Sequence, residues 1–211
     1  MCDAPATGRE HVPPKCIFPN GASHRMNLIS VPSCDRHNSE KSKSDELLRF
    51  VLAAAPGVNE LALTVVEGSV MRSLDYSPSL VDTFMPGLQL VQCGQFETGG
   101  FRLDRGRFDC SVTSIVCGLF FHETGRKLAS KLRIAWGPMM APDYSDAPFL
   151  KLIRDGERVL SANYVGSNPR AFQYSFSISN SKSTSLCRLR FYEGHPIYVT
   201  WKNFSANSHD D

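Results

Sequence analysis

Glu10 and His11 are adjacent, and Pro13 and Pro14 stiffen the chain immediately behind them. Neighbouring residues of an extended strand point to opposite sides, so one tetrahedral ion seldom takes both. A carboxylate can instead face a hard divalent cation while the imidazole faces a water, with the prolines fixing the backbone that aims them. That arrangement suits hydrolysis of a phosphodiester. A cation with oxygen ligands, Mg²⁺ or Mn²⁺, would stabilise the charge building at phosphorus, and a neutral His11 would take the proton from the attacking water. The amide oxygen of Asn38 is the expected second protein ligand for such an ion.

Cys34 and His37 suggest a different centre. A two-residue spacer lets both side chains reach one tetrahedral zinc, and such a site needs a second pair of ligands. Cys2 has no partner at the usual spacing, because residue 5 is proline. Two alternatives stay open: Cys16 completes a set with Cys2, Cys34 and His37, or the fourth ligand belongs two residues before Met1. Lys41 and Lys43 follow one turn beyond Asn38, where a scissile phosphate would pass, and are the expected nucleic-acid contacts.

These residues crowd into a segment that lacks material for its own core. Residues 1–44 hold five of the thirteen prolines, three of the six histidines and three of the seven cysteines, with few apolar runs. Something outside the segment must hold it together. Leu47, Leu48, Val51 and Leu52 recur at helical spacing until Pro56 and Gly57, so a helix is expected to run on from the Cys34 knuckle. Beyond it, ELALTVVEGS alternates and is rich in β-branched residues, which predicts a strand around 60–67.

Val112, Ile115, Val116, Leu119 and Phe120 follow the i, i+3, i+4 rule, predicting a core helix over 109–122 with Gly125 as its cap. FQYSFSIS, SLCRLRFYEG and HPIYVTW alternate apolar and polar residues, and a turn at Glu193-Gly194 would join the last two as a hairpin. The class expected is α+β: a small N-terminal zinc finger over residues 1–55, then a mixed domain over 56–211 with an antiparallel sheet and packed helices. Residues 179–185 and 203–211 read as a polar loop and a loose tail.

The ordered set of Glu10-His11 before Val-Pro-Pro, Asn27-Leu28, and Cys34-x-x-His37-Asn38 running into a helix resembles the HNH, or ββα-metal, endonuclease family. The resemblance covers residues 1–55. It implies that Glu10 and Asn38 hold the catalytic cation, that His11 is the general base, and that Asn27 holds the loop between two strands. In the zinc-stapled branch of the family, Cys34 and His37, with Cys2, would bind a structural zinc. Glu10 departs from the aspartate common there, and one knuckle residue is histidine.

The remaining residues bound the function more loosely. Lys and Arg exceed Asp and Glu by 23 − 21 = 2, so attraction to polyanions must come from local patches. No run of about 18 uncharged apolar residues appears, and residues 1–20 hold charges and prolines where a leader peptide needs an apolar run; a cytoplasmic chain without membrane contact is expected.

Cys93, Cys110 and Cys117 read as reduced core residues. His24 reads as a solvent-facing loop residue, His122 as a helix-end residue and His195 as structural. Arg102, Arg105 and Arg107 make a basic loop offset by Asp104 and Asp109. Phe191, Tyr192, Tyr198 and Trp201 would form either a base-stacking surface or sheet core, with Phe191 and Trp201 inside. Two functions follow: a metal-dependent endonuclease acting on DNA, or on RNA, as a monomer or homodimer, and a non-catalytic zinc module that binds nucleic acid or protein.

Overall fold

The computed structural model describes residues 4–93, 95–137, 147–160, 164–178 and 184–202, with side chains for all of these except 22, 36–40, 93, 96, 98, 147 and 159. Strand β1 (Gly8–His11) pairs antiparallel with β2 (Ser30–Ser33), with Glu10 opposite Val31 and His11 opposite Ser30. Short 3₁₀ turns at Lys15–Ile17 and Ala22–His24 punctuate the connection. Helix α1 (Asp35–Ala53) follows β2 directly. Its start is tied back to the hairpin by Thr7, whose hydroxyl accepts from the Asp35 N–H at 3.0 Å and donates to Asp35 Oδ1 at 2.7 Å.

Helices α2 (Glu60–Val65), α3 (Met71–Tyr76) and α4 (Leu80–Phe84) come next, with a π-helical turn at Val66–Val70 between the first two. The strand expected around 60–67 is therefore helical. The Asn59 side chain caps α2 by accepting from the N–H groups of Leu61 and Ala62, and Leu61, Ala62 and Val65 supply one buried helical face. Local capping and i, i+4 burial outweigh the β-branched composition.

A hairpin of β3 (Gln89–Cys93) and β4 (Phe96–Gly100) leads to helix α5 (Arg105–Thr124). This is the helix expected over 109–122, and it ends at Gly125 with φ 69°, the left-handed cap. Strands β5 (Arg133–Trp136), β6 (Val165–Asn168), β7 (Phe172–Ser177), β8 (Thr184–Phe191) and β9 (Ile197–Lys202) form one antiparallel sheet in the order β5-β9-β8-β7-β6. Helix α6 (Ala147–Val159) precedes β6.

The fold is thus mixed α+β with antiparallel sheets. Helix α5 covers the sheet face that carries Trp201, where Phe120 meets the indole edge-on at 6.0 Å between centroids. The opposite face meets α6, where Arg188 donates to Glu157 at 2.7 Å. Phe191 and Trp201 are buried as expected, and so is Tyr192, while Tyr198 is half-buried and bonded to Glu157 of α6. The β8–β9 turn centres on Tyr192 and Glu193, with φ 50° and 58°, one residue before the expected Glu193-Gly194. Cys117 is buried, but Cys110 is exposed, against expectation, because it falls off the inward stripe of α5; Cys93 and most of 179–185 and 203–211 lie outside the described residues or side chains.

The N-terminal hairpin shares this core. Val12, Ile17, Phe18 and Val31 belong to one cluster with Leu47, Val116, Tyr192 and Trp201, so residues on both sides of position 55 bury the same apolar surface. Polar ties reinforce it: the Tyr192 hydroxyl donates to the Ile17 carbonyl, Asn168 Nδ2 to the His24 carbonyl at 3.0 Å and Ser167 Oγ to the Asn27 carbonyl at 3.1 Å. The closest approach is between Val12 and Gly118 of α5. A Cβ on Gly118 would lie 2.6 Å from Val12 Cγ2, nearer than carbon atoms tolerate. Gly118→Ala is expected to destabilise the protein by about 1–3 kcal/mol in urea melts; adding Val12→Ala should recover part of that loss if the clash is the cause.

Candidate functional site

Strand alternation places Glu10 and Val12 on one face of β1 and Arg9 and His11 on the other. The Glu10 face closes over α1 and α5 around a cavity of about 320 Å³ whose walls include Glu10, Val12, Ser33, Cys34, Cys117 and Lys127. On α1, positions 34, 38, 41 and 45 recur at i, i+4, i+7 and i+11 and so share one side of the helix. That side meets Glu10.

The encounter is an ion pair. Lys41 Nζ is bonded to Glu10 Oε1, with the lysine side chain 7% exposed and the glutamate 18%. Lys41 was expected to touch phosphate at the surface; it is instead turned inward, because its stem lies on the face of α1 that β1 covers. Lys43, two residues on, is exposed. Lys41 also lies 3.9 Å from Asp45 Oδ2, one turn further along the helix. Asp45 Oδ1 accepts from Ser111 Oγ of α5 at 3.1 Å. Burial pushes the Asp45 carboxyl up to about 6, opposed by Lys41 and the Ser111 bond and assisted by Glu10.

The second oxygen of Glu10, Oε2, accepts a long 3.4 Å bond from Ser33 Oγ among the described residues. A carboxylate has lone pairs to spare in that state. Glu10 is the carboxylate among the described residues that line the cavity, its other oxygen is taken by Lys41, and position 38 of α1 shares the helix side that faces β1. The side chain of Asn38 itself lies outside the described residues. On the other face of β1, His11 Nδ1 is buried with no hydrogen-bond partner among the described residues. A buried ring nitrogen in that state gains from any hydrogen-bonding group that reaches it. Arg9 flanks it, tied to Ser30 by bonds of 3.0 Å to Oγ and 2.8 Å to the carbonyl. Asn27 stands exposed in the loop with φ 53°, a left-handed conformation that asparagine tolerates better than most residues.

The zinc expectation divides. Cys34 caps the start of α1, whereas Cys2 and the His37 side chain lie outside the described residues. Cys16 sits elsewhere: its thiol donates to the Asp45 carbonyl at 3.7 Å. Asp45 is 45 − 34 = 11 residues along α1 from Cys34, about 16 Å at the helical rise. Cys16 and Cys34 cannot share one ion, so the set that included Cys16 is corrected. Burial, and then Asp45, raises the Cys16 thiol to about 11, keeping it protonated. Among the described residues no group of three or more His, Cys, Asp or Glu side chains could hold a metal ion.

Sequence reasoning missed Arg9, Asp45 and Ser111. The first two left signals, the period-two spacing of Arg9 to His11 and the i, i+4 spacing of Lys41 to Asp45; Ser111 left none, since only the packing of α5 brings it there. Arg105 and Arg107 pair with Asp109 at 3.3 Å and Asp104 at 3.4 Å, so much of the basic loop's charge is spent internally. His122 is exposed in the last turn of α5, and the His195 carbonyl accepts from Trp136 Nε1 at 3.1 Å. Among the described residues no helix is long and apolar enough to cross a membrane.

Compared with family models, with curated proteins and with solved structures, the chain matches none of them.

The raised Asp45 carboxyl makes a stability statement. A carboxyl with a folded pKa above its unfolded value favours folding while protonated, so its contribution is present below about pH 4 and is lost as pH rises through about 6. Asp45→Asn is expected to gain stability relative to the unmodified protein between pH 4 and 7, by at most about 3 kcal/mol, in denaturant melts at the two pH values.

Proposed function

We propose that the chain is a metal-dependent endonuclease of the HNH, or ββα-metal, kind that hydrolyses DNA. The observation that carries this reading is the order strand, strand, helix, with Glu10 and His11 closing β1 and the carboxylate turned toward the start of α1. His11 takes a proton from the attacking water, and its imidazole is oriented by packing, since Nδ1 finds no partner among the described groups. Glu10 and Asn38 would hold Mg²⁺ or Mn²⁺. When bound, the ion supplies charge that stabilises the phosphorus centre and the leaving oxygen.

Asn27, in its left-handed turn, fixes the loop that returns the chain from β1 to β2. Lys43, exposed on the outside of α1, is the lysine free to meet the nucleic-acid backbone. Cys34, with His37 and Cys2, is the remaining set for a structural zinc. The buried core beneath the hairpin shares that stapling role.

His11→Ala should lower plasmid cleavage in Mg²⁺ or Mn²⁺ by about 10²–10⁴-fold, the usual contribution of a general base, while leaving the thermal midpoint nearly unchanged. Equal cleavage by both proteins would remove the general base. Absence of cleavage by the unmodified protein, together with retained nucleic-acid binding in EDTA, would favour the non-catalytic zinc module instead.

A further inference from the structure

Helix α5 is capped at Gly125, and the chain from there to Arg133 reads GRKLASKLR, with four basic residues and no acidic one. Arg126, Lys127, Lys131 and Arg133 are all exposed, while Leu128 among them is buried and pins the segment to the protein. The register of β5 on β9 sets Arg133 opposite Thr200, and continuing it sets Lys131 opposite Lys202. Ser130 Oγ donates to the Lys202 carbonyl at 2.9 Å, in keeping with that register. Lys202 is exposed as well. The ion pairs among the described residues involve none of Arg126, Lys131 and Lys202. Glu123, the acid that precedes them on α5, accepts from the Tyr174 hydroxyl at 2.6 Å.

Like charges set opposite each other on two strands oppose folding. Lysines on an edge strand can guard it against pairing with another chain, and β5 is an edge of its sheet. That would account for Lys131 but not for Lys202, whose strand lies inside the sheet. Lys127 also lines the cavity that holds Glu10, so the basic surface starts at the mouth of that cavity and runs outward to the end of β9. The 133 − 127 = 6 residue steps from Lys127 to Arg133 span at most about 20 Å, enough to meet several phosphates of one DNA strand. Arg133 is steadied at the far end by the Phe149 ring of α6, 4.2 Å from its guanidinium.

We infer that Arg126, Lys127, Lys131, Arg133 and Lys202 form the surface on which the backbone of duplex DNA lies as it leaves the cavity. The choice of DNA rests on the endonuclease reading; the charge pattern itself calls for a polyanion. A phosphodiester backbone there relieves the repulsion between Lys131 and Lys202 and releases its own counterions, which makes the binding salt-dependent. Contacts of this kind position a duplex without reading its sequence.

The test is the fluorescence anisotropy of a labelled short duplex of mixed sequence, titrated with the full chain in EDTA over about 50–200 mM salt. The variants are Lys202→Gln, the triple change of Arg126, Lys131 and Lys202 to Gln, and, as a control, Arg72→Gln, which removes an exposed cation of α3. The triple variant should bind at least about tenfold more weakly, with a salt slope smaller by about 2–3; Lys202→Gln should lower the slope by about 1, and the control should leave it unchanged. Should the triple variant aggregate, Lys202→Gln, which leaves the edge strand intact, decides alone.

Equal binding by the unmodified protein and these variants, or an equal loss in Arg72→Gln, overturns the surface; plasmid cleavage in Mg²⁺ by the unmodified protein then leaves the endonuclease reading standing. DNA binding that the triple variant loses, in a protein that cleaves no plasmid, supports the surface and overturns the endonuclease. Failure of the unmodified protein to bind the duplex, whether or not it binds vesicles of anionic lipid, overturns the surface as a DNA site.

Discussion

A strand has a period of two, and that constraint governs the N-terminal half of this protein. Val12 is pressed against the backbone of α5 at Gly118, an approach that only a residue without a Cβ permits. Residue 10 must then face the same way as residue 12. Packing an apolar side chain against one helix thus carries a carboxylate beneath another, where burial would be costly without a partner. Lys41 is that partner. His11, on the opposite face, is left with a buried nitrogen that nothing in the described protein satisfies. One contact thus sends an adjacent carboxylate and imidazole to opposite sides of the chain.

The same packing explains how a segment poor in apolar residues is held. Ile17 and Phe18 enter the common core from the long connection between β1 and β2, and the Tyr192 hydroxyl satisfies the carbonyl between them. Tyr192 does so from a positive-φ position at the tip of the β8–β9 turn, a conformation that a bulky residue adopts only when its surroundings compensate. Asn168 and Ser167 bind the same connection from the end of β6. The hairpin is therefore stabilised by the C-terminal sheet at three separate places.

The elements best read from sequence were those with sustained periodicity. Helix α5 repeats its apolar positions over several turns, a signal that records burial on one face, and strands β7 to β9 were legible from their alternating runs although β8 is buried on both faces. The stretch 60–67 misled because its β-branched residues, Thr64, Val65 and Val66, are tolerated in a short helix whose buried face is mostly Leu61 and Ala62, and the deciding feature, the Asn59 cap, is one residue outside it. Residue type and order singled out Glu10, His11 and Asn27, and the structure places the first two at the end of β1 and the third in the loop before β2. The fate of Lys41 was not, since a helix carries charge on every side and only the tertiary arrangement selects the side that is covered. Cys16 failed for a related reason: cysteine count gives no direction, and its thiol faces α1 far from Cys34.

The central claim is that a hard cation and an imidazole act from opposite faces of one strand on a single phosphodiester. Diffraction from crystals soaked in Mn²⁺, collected at the manganese absorption edge, tests it most directly. An anomalous peak about 2.1–2.3 Å from Glu10 Oε2, with residue 38 completing the coordination, is the predicted result. A peak that avoids Glu10, or a Glu10 carboxylate still bonded only to Lys41 and Ser33 in saturating Mn²⁺, would contradict it.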